Sequence, residues 1–514
     1  MSDAQFYSGW QRERVGLFFG LDGLQSAALA AGALCVLVVV VSRSWTTAAV
    51  LMPLVVLLAA SALVRVQGRV PVAWARTWVA HRMVRLAGAH RFRSRPRWQV
   101  AAADGGVEPP ADPGDEWDLP GVLAPLRLLA AADGKGRKFA VVHHRVEGTY
   151  TAVARVTHPG LALLASAKAQ NRVQGWAGWL AQQCAEDGQI CRVGTYHLAE
   201  PGEVDELGSW TDQHVRPDAP AQAVALVREV IAADRRRVAD HVSYLAVSLS
   251  AGRSRREIRN AGGGDAGACA VLGRRLSSVA GTVLAAGVEV ERWLGPRELA
   301  GVIRSSYAPL ARREVTAREL ASRRNGYVGP DPGVPPALAG PTWAETSWGV
   351  YEHDDAFSVV AEIEWPRTPR DATMLSGILS ASAKGRRQVS ILYEPIPPRE
   401  AERTLAVDKT KRDVAIRLRH KTGQVAPERE RKELATATAQ DAELAAGHGL
   451  LRFCGYVAVT VTDRAALEEA WDELCADAGA SGLVLRRCSG WMDTAFAAAA
   501  VPVGIGLPGR GQRV

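Results

Sequence analysis

The sequence contains no C-x-x-C pair, and its seven cysteines are an odd number scattered over 514 residues. This spacing argues against a disulfide scaffold and against a structural zinc site, and it indicates a reducing compartment. The seven positions are Cys35, Cys184, Cys191, Cys269, Cys454, Cys475 and Cys488.

The motifs of several enzyme classes are also missing. No GxxxxGK[ST] loop occurs, so the amides and the lysine that hold nucleotide phosphates are absent. HExxH and GxSxG do not occur either, and no cysteine lies in an electropositive motif typical of a nucleophile. We therefore predict that the chain is not an enzyme and binds neither a cofactor nor a metal.

Three short segments could suggest an anion or nucleotide site, but each has a simpler explanation. Residues 134–138 (GKGRK) lack the spacing and the hydroxyl of a phosphate loop and predict a solvated turn. Residues 262–265 (GGGD) have no basic residue in the loop and predict a flexible connection before a helix. Residues 471–473 (WDE) lie in a helical pattern, where we expect the carboxylates to face water.

Two histidine-containing clusters could suggest a metal. His143 and His144 are adjacent on a predicted strand, where neighbouring side chains point to opposite faces and cannot easily bind one ion. Residues 352–355 (EHDD) fall in a predicted hairpin turn, where aspartate is favoured for turn geometry. We expect structural roles for both clusters.

Two runs without a charged residue lie near the N-terminus, from Leu24 to Val41 and from Thr46 to Val64. Each is about as long as the ~20 residues that a helix needs to cross a ~30 Å hydrocarbon core. We therefore predict a transmembrane α-helical hairpin within residues 1–69. A cleaved signal peptide is a weaker alternative, because the second run follows at once and no small-residue cleavage site ends the first.

The formal charge of +8 is concentrated beside these two runs. Residues 1–100 carry twelve arginines and three acidic residues, whereas the rest of the chain has 50 basic and 51 acidic residues. This asymmetry predicts a multi-pass protein of the inner (plasma) membrane with both termini in the cytoplasm, and no direct nucleic-acid binding. The predicted membrane-surface residues are Arg65, Arg69, Arg76, Arg82, Arg85, Arg91 and Arg93.

Shifts in composition divide the remaining chain. Residues 70–100 predict a basic membrane-proximal helix, which either lies on anionic headgroups or packs on the rest of the protein. Residues 101–121 are rich in Gly, Pro and Asp and predict a linker. Alternating strand-like and helix-like runs then predict two cytosolic α+β domains at 122–325 and 326–514, the second with a polar helical arm at 399–447.

The two α+β domains resemble each other. Four segments of the first recur in the same order in the second, which predicts an internal duplication. The matched segments are 149–160 with 356–367, 192–202 with 388–398, 244–250 with 456–462, and 288–293 with 483–488. The predicted fold is therefore a cytosolic α+β region of two similar repeated domains, preceded by the transmembrane hairpin.

The cytosolic region resembles the N-terminal, non-motor part of the conjugative type IV secretion ATPases, the TraC/TrbE-like family. The segments that carry the resemblance are 244–250, 288–309, the charged helices through 421–423, 449–462 and 497–509. The N-terminal hairpin is similar to the two-span PrgI-type subunit that is fused to some of these ATPases. Actinobacterial integral membrane proteins of conjugation-like loci share this arrangement. The sequence ends at Val514, where the motor of that family would begin, so nucleotide hydrolysis is not implied.

The resemblance implies a structural and assembly role. We expect a membrane-anchored component of a secretion or conjugation machine that docks an ATPase or channel subunit at the cytoplasmic face. Its partners would be the lipid bilayer and those subunits, and a homo-oligomer is left open. An EccE-like component of a type VII secretion system is the alternative, because EccE also has two N-terminal spans and no motor. A membrane-bound enzyme with an unfamiliar site is a third hypothesis.

Overall fold

The computed structural model describes most of the chain, in segments. These are residues 23–63, 71–94, 117–132, 136–158, 160, 166–201, 211, 214–216, 218–234, 239–317, 333–366, 370, 373–382, 384–421, 435–436, 438–440, 442–444 and 449–506.

The first described segment forms two helices, α1 (Gly23–Ser42) and α2 (Trp45–Leu63), and a third, α3 (Pro71–Leu86), follows. The turn between α1 and α2 places Arg43 at a φ of 45°. The hydroxyls of Ser42 and Thr47 hydrogen-bond across this turn at 2.6 Å. The described residues of the two charge-free runs are therefore helical, as their composition predicts.

No helix in the described part of the chain has both the length and the apolar character that a membrane span requires. The predicted transmembrane hairpin of residues 1–69 is therefore wrong, and so is the predicted multi-pass location in the plasma membrane.

The chain divides into two compact units. The larger is built from the described residues of Ala89–Pro395 and Leu451–Leu507, and the smaller from those of Gly9–Gly88 and Ile396–Leu450. The smaller unit contains α1 to α3 and the first helix of the predicted arm. That helix runs over Pro398–Lys421, and the predicted break at 422–424 lies outside the described residues.

The larger unit is organised around one 13-stranded sheet in which all the assigned strand registers are antiparallel. The strand order is β1-β8-β9-β10-β12-β11-β5-β6-β4-β3-β2, with β7 beside β4 and β13 beside β10. The strands are β1 (Arg91–Arg93), β2 (Leu126–Ala132), β3 (Lys138–His144), β4 (Thr149–Thr157), β5 (Ile190–Pro201), β6 (Ala239–Ser250), β7 (Glu289–Trp293), β8 (Trp343–Thr346), β9 (Tyr351–His353), β10 (Ala356–Glu364), β11 (Arg386–Ile396), β12 (Leu450–Val461) and β13 (Val484–Arg487).

The sheet has the same strand order when it is followed inward from either end. The first half is β2-β3-β4-β6-β5 with β7 beside β4, and the second is β8-β9-β10-β12-β11 with β13 beside β10. The registers agree with the matched sequence segments, because Thr151 lies opposite Ser248 and Ser358 lies opposite Thr460. Each pair is joined by a 2.7 Å hydrogen bond between hydroxyls. The two halves are thus related by an approximate two-fold axis.

That axis passes through the pairing of β5 with β11, which we call the seam. Thr195 lies opposite Ile391 at the seam, and the matched segments 192–202 and 388–398 align these same two residues. A contact in which a residue meets its own equivalent is the signature of a two-fold, isologous interface. The prediction of two separate domains is therefore corrected: the two similar parts are halves of one sheet, hydrogen-bonded to each other along the seam.

Helices cover the sheet. They bury three apolar clusters, the largest of which includes side chains from both halves, such as Val153, Val359 and Tyr456. Trp117 and Leu119, at the end of the predicted linker, belong to this cluster. The helices of the larger unit are α4 (Ser166–Gln182), α5 (Ala221–Asp234), α6 (Arg255–Asn260), α7 (Gly264–Leu284), α8 (Pro296–Tyr307), α9 (Ser376–Leu379), α11 (Leu467–Ala480) and α12 (Met492–Ala500), whereas α10 (Pro398–Lys421) belongs to the smaller unit.

Candidate functional site

The seven arginines predicted to face lipid are distributed over different elements. Arg65 and Arg69 lie outside the described residues. Exposed positions of α3 hold Arg76, Arg82 and Arg85.

The other two arginines, Arg91 and Arg93, lie on strand β1. The predicted basic helix over 70–100 therefore ends earlier than expected, and a strand follows it. Gly88 adopts a φ of 71° and its amide donates to the Arg85 carbonyl, which is a common way for a helix to stop. Arg91 then makes a two-pronged ion pair with Glu345 on β8, at 3.2 and 3.3 Å.

His143 and His144 bind different partners. The Nδ1 atom of His144 accepts a hydrogen bond from the Glu147 amide at 3.1 Å. His143 stacks on Tyr150 with ring centroids 4.3 Å apart, and its Nδ1 lies 3.3 Å from an Asp265 carboxylate oxygen. Burial lowers the pKa of His143, although Asp265 opposes this shift. The pair does not converge on a common point.

The glycine-rich segment before Asp265 has a defined structural role. Gly262, Gly263 and Gly264 all have positive φ, at 103°, 74° and 57°, which glycine adopts without strain. These turns place Asp265 in the first turn of α7, where a carboxylate is favoured by the helix dipole. The carboxylate accepts a hydrogen bond from the Tyr150 hydroxyl at 2.8 Å. The sequence predicts only a flexible connection here, because Tyr150, the partner of Asp265, lies 115 residues away.

The EHDD turn contacts helix α8 of the first half and strand β10 of the second. His353 is fully buried, and its ring nitrogens contact the Tyr307 carbonyl at 2.5 Å and the Ser358 hydroxyl at 2.8 Å. Burial lowers the pKa of His353 to about 4, so the ring is neutral at physiological pH. Asp354, at a φ of 46°, accepts from the Thr342 amide at 2.7 Å and pairs with Arg304 at 2.8 Å. All of these partners belong to the chain itself.

Two buried arginines lie toward opposite ends of the seam. Arg192 on β5 pairs with Glu394 on β11 at 3.3 Å, and Arg386 on β11 pairs with Glu200 on β5 at 2.5 Å. The register of β5 with β11 runs from Val193 opposite Tyr393 to Ala199 opposite Arg387, so one ion pair flanks it at each end. Arg312 also binds Glu200. Burial lowers the pKa of Arg386 to about 10, which leaves it charged at neutral pH. Periodicity could not reveal these pairs.

A third buried arginine corrects the expectation for the WDE segment. Arg387 has no exposed side-chain surface, and it pairs with Glu473 at 3.3 Å and with Asp477 at 2.7 Å, both on α11. The Glu473 carboxylate therefore faces a buried cation instead of simply facing water. Trp471 packs under the Arg487 guanidinium, 4.4 Å from the ring centroid. The segment fastens α11 to the sheet.

Three histidines meet near the ends of β4, β5 and β6, and the sequence pattern did not single them out. His197 contacts the Ser243 hydroxyl at 2.8 Å and the His241 ring at 3.1 Å. His158 contacts the same hydroxyl at 3.1 Å. Burial and the neighbouring rings lower the pKa of His197 to about 4. In the described part of the chain, no group of three or more His, Cys, Asp or Glu side chains is arranged to hold a metal ion.

The two ends of the sheet are the remaining candidates for a functional surface. At one end β1 adds a short strand to β8, and we call the outer side of β8 the β8 edge. At the other end the strand order stops at β2, whose outer side we call the β2 edge. The two edges occupy equivalent places in the two halves.

No protein family matches the chain, and no curated protein is significantly similar to it.

Proposed function

We propose that the chain is a structural component of a bacterial secretion or conjugation machine, in which it docks an ATPase or a channel subunit. The observation that supports this proposal most is the single 13-stranded sheet, built from two similar halves joined at the seam. Such a sheet is a long rigid platform with a strand edge at each end, and strand edges are recurrent sites of protein docking.

The buried charges favour a platform over a catalytic centre. Arg192, Arg386 and Arg387 are each paired with carboxylates of the chain and lie between secondary-structure elements. A buried ion pair contributes little net stability, but it penalises any arrangement in which the partners separate. These pairs therefore hold the two halves and helix α11 in one register, as a scaffold requires.

The kind of machine is inferred from the sequence resemblance. The segments similar to the non-motor region of conjugative ATPases include β6, β7 with α8, and the end of the sequence around α12. In the larger unit β6 lies beside β5, β7 pairs with β4, and α8 and α12 contribute side chains to the largest apolar cluster. A chain with the non-motor fold of such an ATPase is suited to assemble with a motor subunit.

Affinity purification from the native host, followed by quantitative mass spectrometry, tests the proposal. We expect an ATPase or channel subunit of one secretion or conjugation locus to copurify with the tagged chain. The purified chain alone should not hydrolyse ATP. Recovery of the core of a type VII system would instead favour the EccE-like alternative. Unaided ATP hydrolysis, or the absence of any secretion subunit, would contradict the proposal.

A further inference from the structure

Strand β1 shows how one end of the sheet accepts an added strand. Arg91, Phe92 and Arg93 pair antiparallel with β8, and the Phe92 ring packs against the large core. Backbone bonds extend the pairing, because the Ser94 amide donates to the Thr342 carbonyl at 2.9 Å and the Thr346 amide donates to the His90 carbonyl at 2.8 Å. Five residues outside the repeated halves thus complete the β8 edge.

The β2 edge is the equivalent place in the other half. Registers relate the two, because Arg127 lies opposite His143 and His143 opposite Tyr150, whereas Glu345 lies opposite Glu352 and Glu352 opposite Phe357. Tyr150 and Phe357 are aligned by the matched segments, so Arg127 occupies the place of Glu345. In the described part of the chain, no strand pairs with the outer side of β2.

Backbone groups of β2 point outward at alternate residues. The Ala140 amide donates to the Leu294 carbonyl, away from β2, at 2.8 Å. In an antiparallel pair, the N–H and C=O of one residue point to the same side of its strand. Two directly opposed residues point their backbone groups either toward each other or both away from each other. Because Ala130 lies opposite Ala140, the N–H and C=O of Ala130 point away from β3, toward the outer side.

The charge at the two edges is opposite. At the β8 edge, Glu345 receives Arg91 of the added strand. At the β2 edge the equivalent residue is Arg127, whose side chain is 44% exposed and whose guanidinium lies 3.8 Å from Asp265, too far for a hydrogen bond. A carboxylate opposite Arg127 on an added strand would therefore meet a half-exposed cation, as Arg91 meets Glu345 at the other edge. The chain's own 90–94 segment, taken from a second copy, would place an arginine there and be repelled.

We propose that the β2 edge binds an extended, acidic strand of a partner protein, paired with β2 as β1 is paired with β8. The strand's backbone bonds to outward groups such as those of Ala130, and its carboxylate pairs with Arg127. This inference rests on the proposed function in one respect only, that the chain docks a partner. It adds the chemistry that the docked segment must have.

Selection from a library of random eight-residue peptides, displayed on phage and panned against the immobilised full chain, tests this inference. Peptides with acidic residues at alternate positions should be enriched about fivefold or more over the input, which corresponds to the ~1 kcal/mol of a good cross-strand charge pair. Arg127→Glu should reverse the preference toward basic residues, and Arg127→Lys should keep it.

A backbone variant separates edge binding from surface charge. Ala130→Pro removes an outward N–H, which an edge strand tolerates, and should abolish the enrichment. Ala130→Val keeps the N–H and should retain it, and circular dichroism verifies that each variant is folded. Enrichment that survives Ala130→Pro, shows no acidic preference, or yields sequences like Leu126–Ala132 would overturn the proposal. Because no machine component enters this selection, its failure is distinct from a failure of the copurification experiment.

Discussion

Replacing Gly504 by alanine should lower the free energy of unfolding by about 2–5 kcal/mol. Gly504 follows α12 in the extended segment 501–506, which reaches from the second half of the sheet to the first. Its carbonyl accepts a hydrogen bond from the Arg192 guanidinium at 2.7 Å. The residue has a φ of 72°, and a Cβ there would lie 2.6 Å from the Thr151 hydroxyl and 2.7 Å from the Ser248 hydroxyl.

Two costs add up in that estimate. A left-handed backbone conformation costs a residue with a Cβ about 1–2 kcal/mol, and overpacking a tight site costs about 1–3 kcal/mol. Urea unfolding followed by tryptophan fluorescence measures the sum. Gly281→Ala is the matched control, because Gly281 lies in α7 with no atom within 4 Å of an added Cβ. That change should stabilise the chain by about 0.5–1 kcal/mol.

A second substitution checks the cause. Thr151→Ala removes the two atoms nearest the added Cβ, so the double variant should recover about 1 kcal/mol relative to the sum of the single effects. If the free energy of unfolding of Gly504→Ala is within about 0.5 kcal/mol of that of the unaltered chain, segment 501–506 does not pack on Thr151 and Ser248. That result would refute the contact of this segment with the first half of the sheet.

Three further predictions concern Arg387, His353 and the helical arm at 399–447. Arg387→Ala should lower the free energy of unfolding in urea by about 2–4 kcal/mol, because it leaves two partly buried carboxylates without their cation. Arg387→Lys keeps a cation and should lower it less. Equal losses in the two variants would contradict the ion-pair explanation. Burial lowers the pKa of His353 to about 4 in the folded chain, against about 6.5 in the unfolded chain. The contribution of the neutral ring to the free energy of unfolding, at most about 3 kcal/mol, is therefore complete above pH 6.5 and is lost as the pH falls toward 4. Comparing stability at pH 7.5 and 5 in the unaltered chain and in His353→Gln tests this, and an unchanged pH dependence in the variant would exclude His353 as its source. Replacing residues 399–447 by a Gly/Ser linker should weaken copurification of the machine subunit without unfolding the sheet, and undiminished recovery would show that the arm is not a docking element.

Much of the sheet could be predicted from the sequence, because apolar and polar residues alternate along a strand that has one buried face. The matched segments 192–202 and 388–398 even align the two residues that meet at the seam, Thr195 and Ile391. That these segments pair with each other was not predicted. A local pattern records which face of a strand is buried but not which strand lies beside it.

The ion pairs and the N-terminal helices show the same limit. Arg387 and Glu473 are 86 residues apart, and each alone resembles an ordinary surface residue. In the GGGD segment, Asp265 accepts a hydrogen bond from Tyr150, which is 115 residues away, so the local sequence indicates only a connection. For residues 23–63, hydropathy correctly indicated two helices, but the membrane span that it also indicated was wrong, because apolar composition favours both a helix and a span.

A photo-crosslinking residue placed at position 130 in the native host tests the docking scaffold most directly, with position 281 on α7 as the control. We expect position 130 to capture one ATPase or channel subunit of a secretion or conjugation machine, and the crosslinked peptide of that subunit to be an acidic strand. Position 281 should capture neither. Equal capture at both positions, or a crosslinked protein from no such machine, would contradict the account.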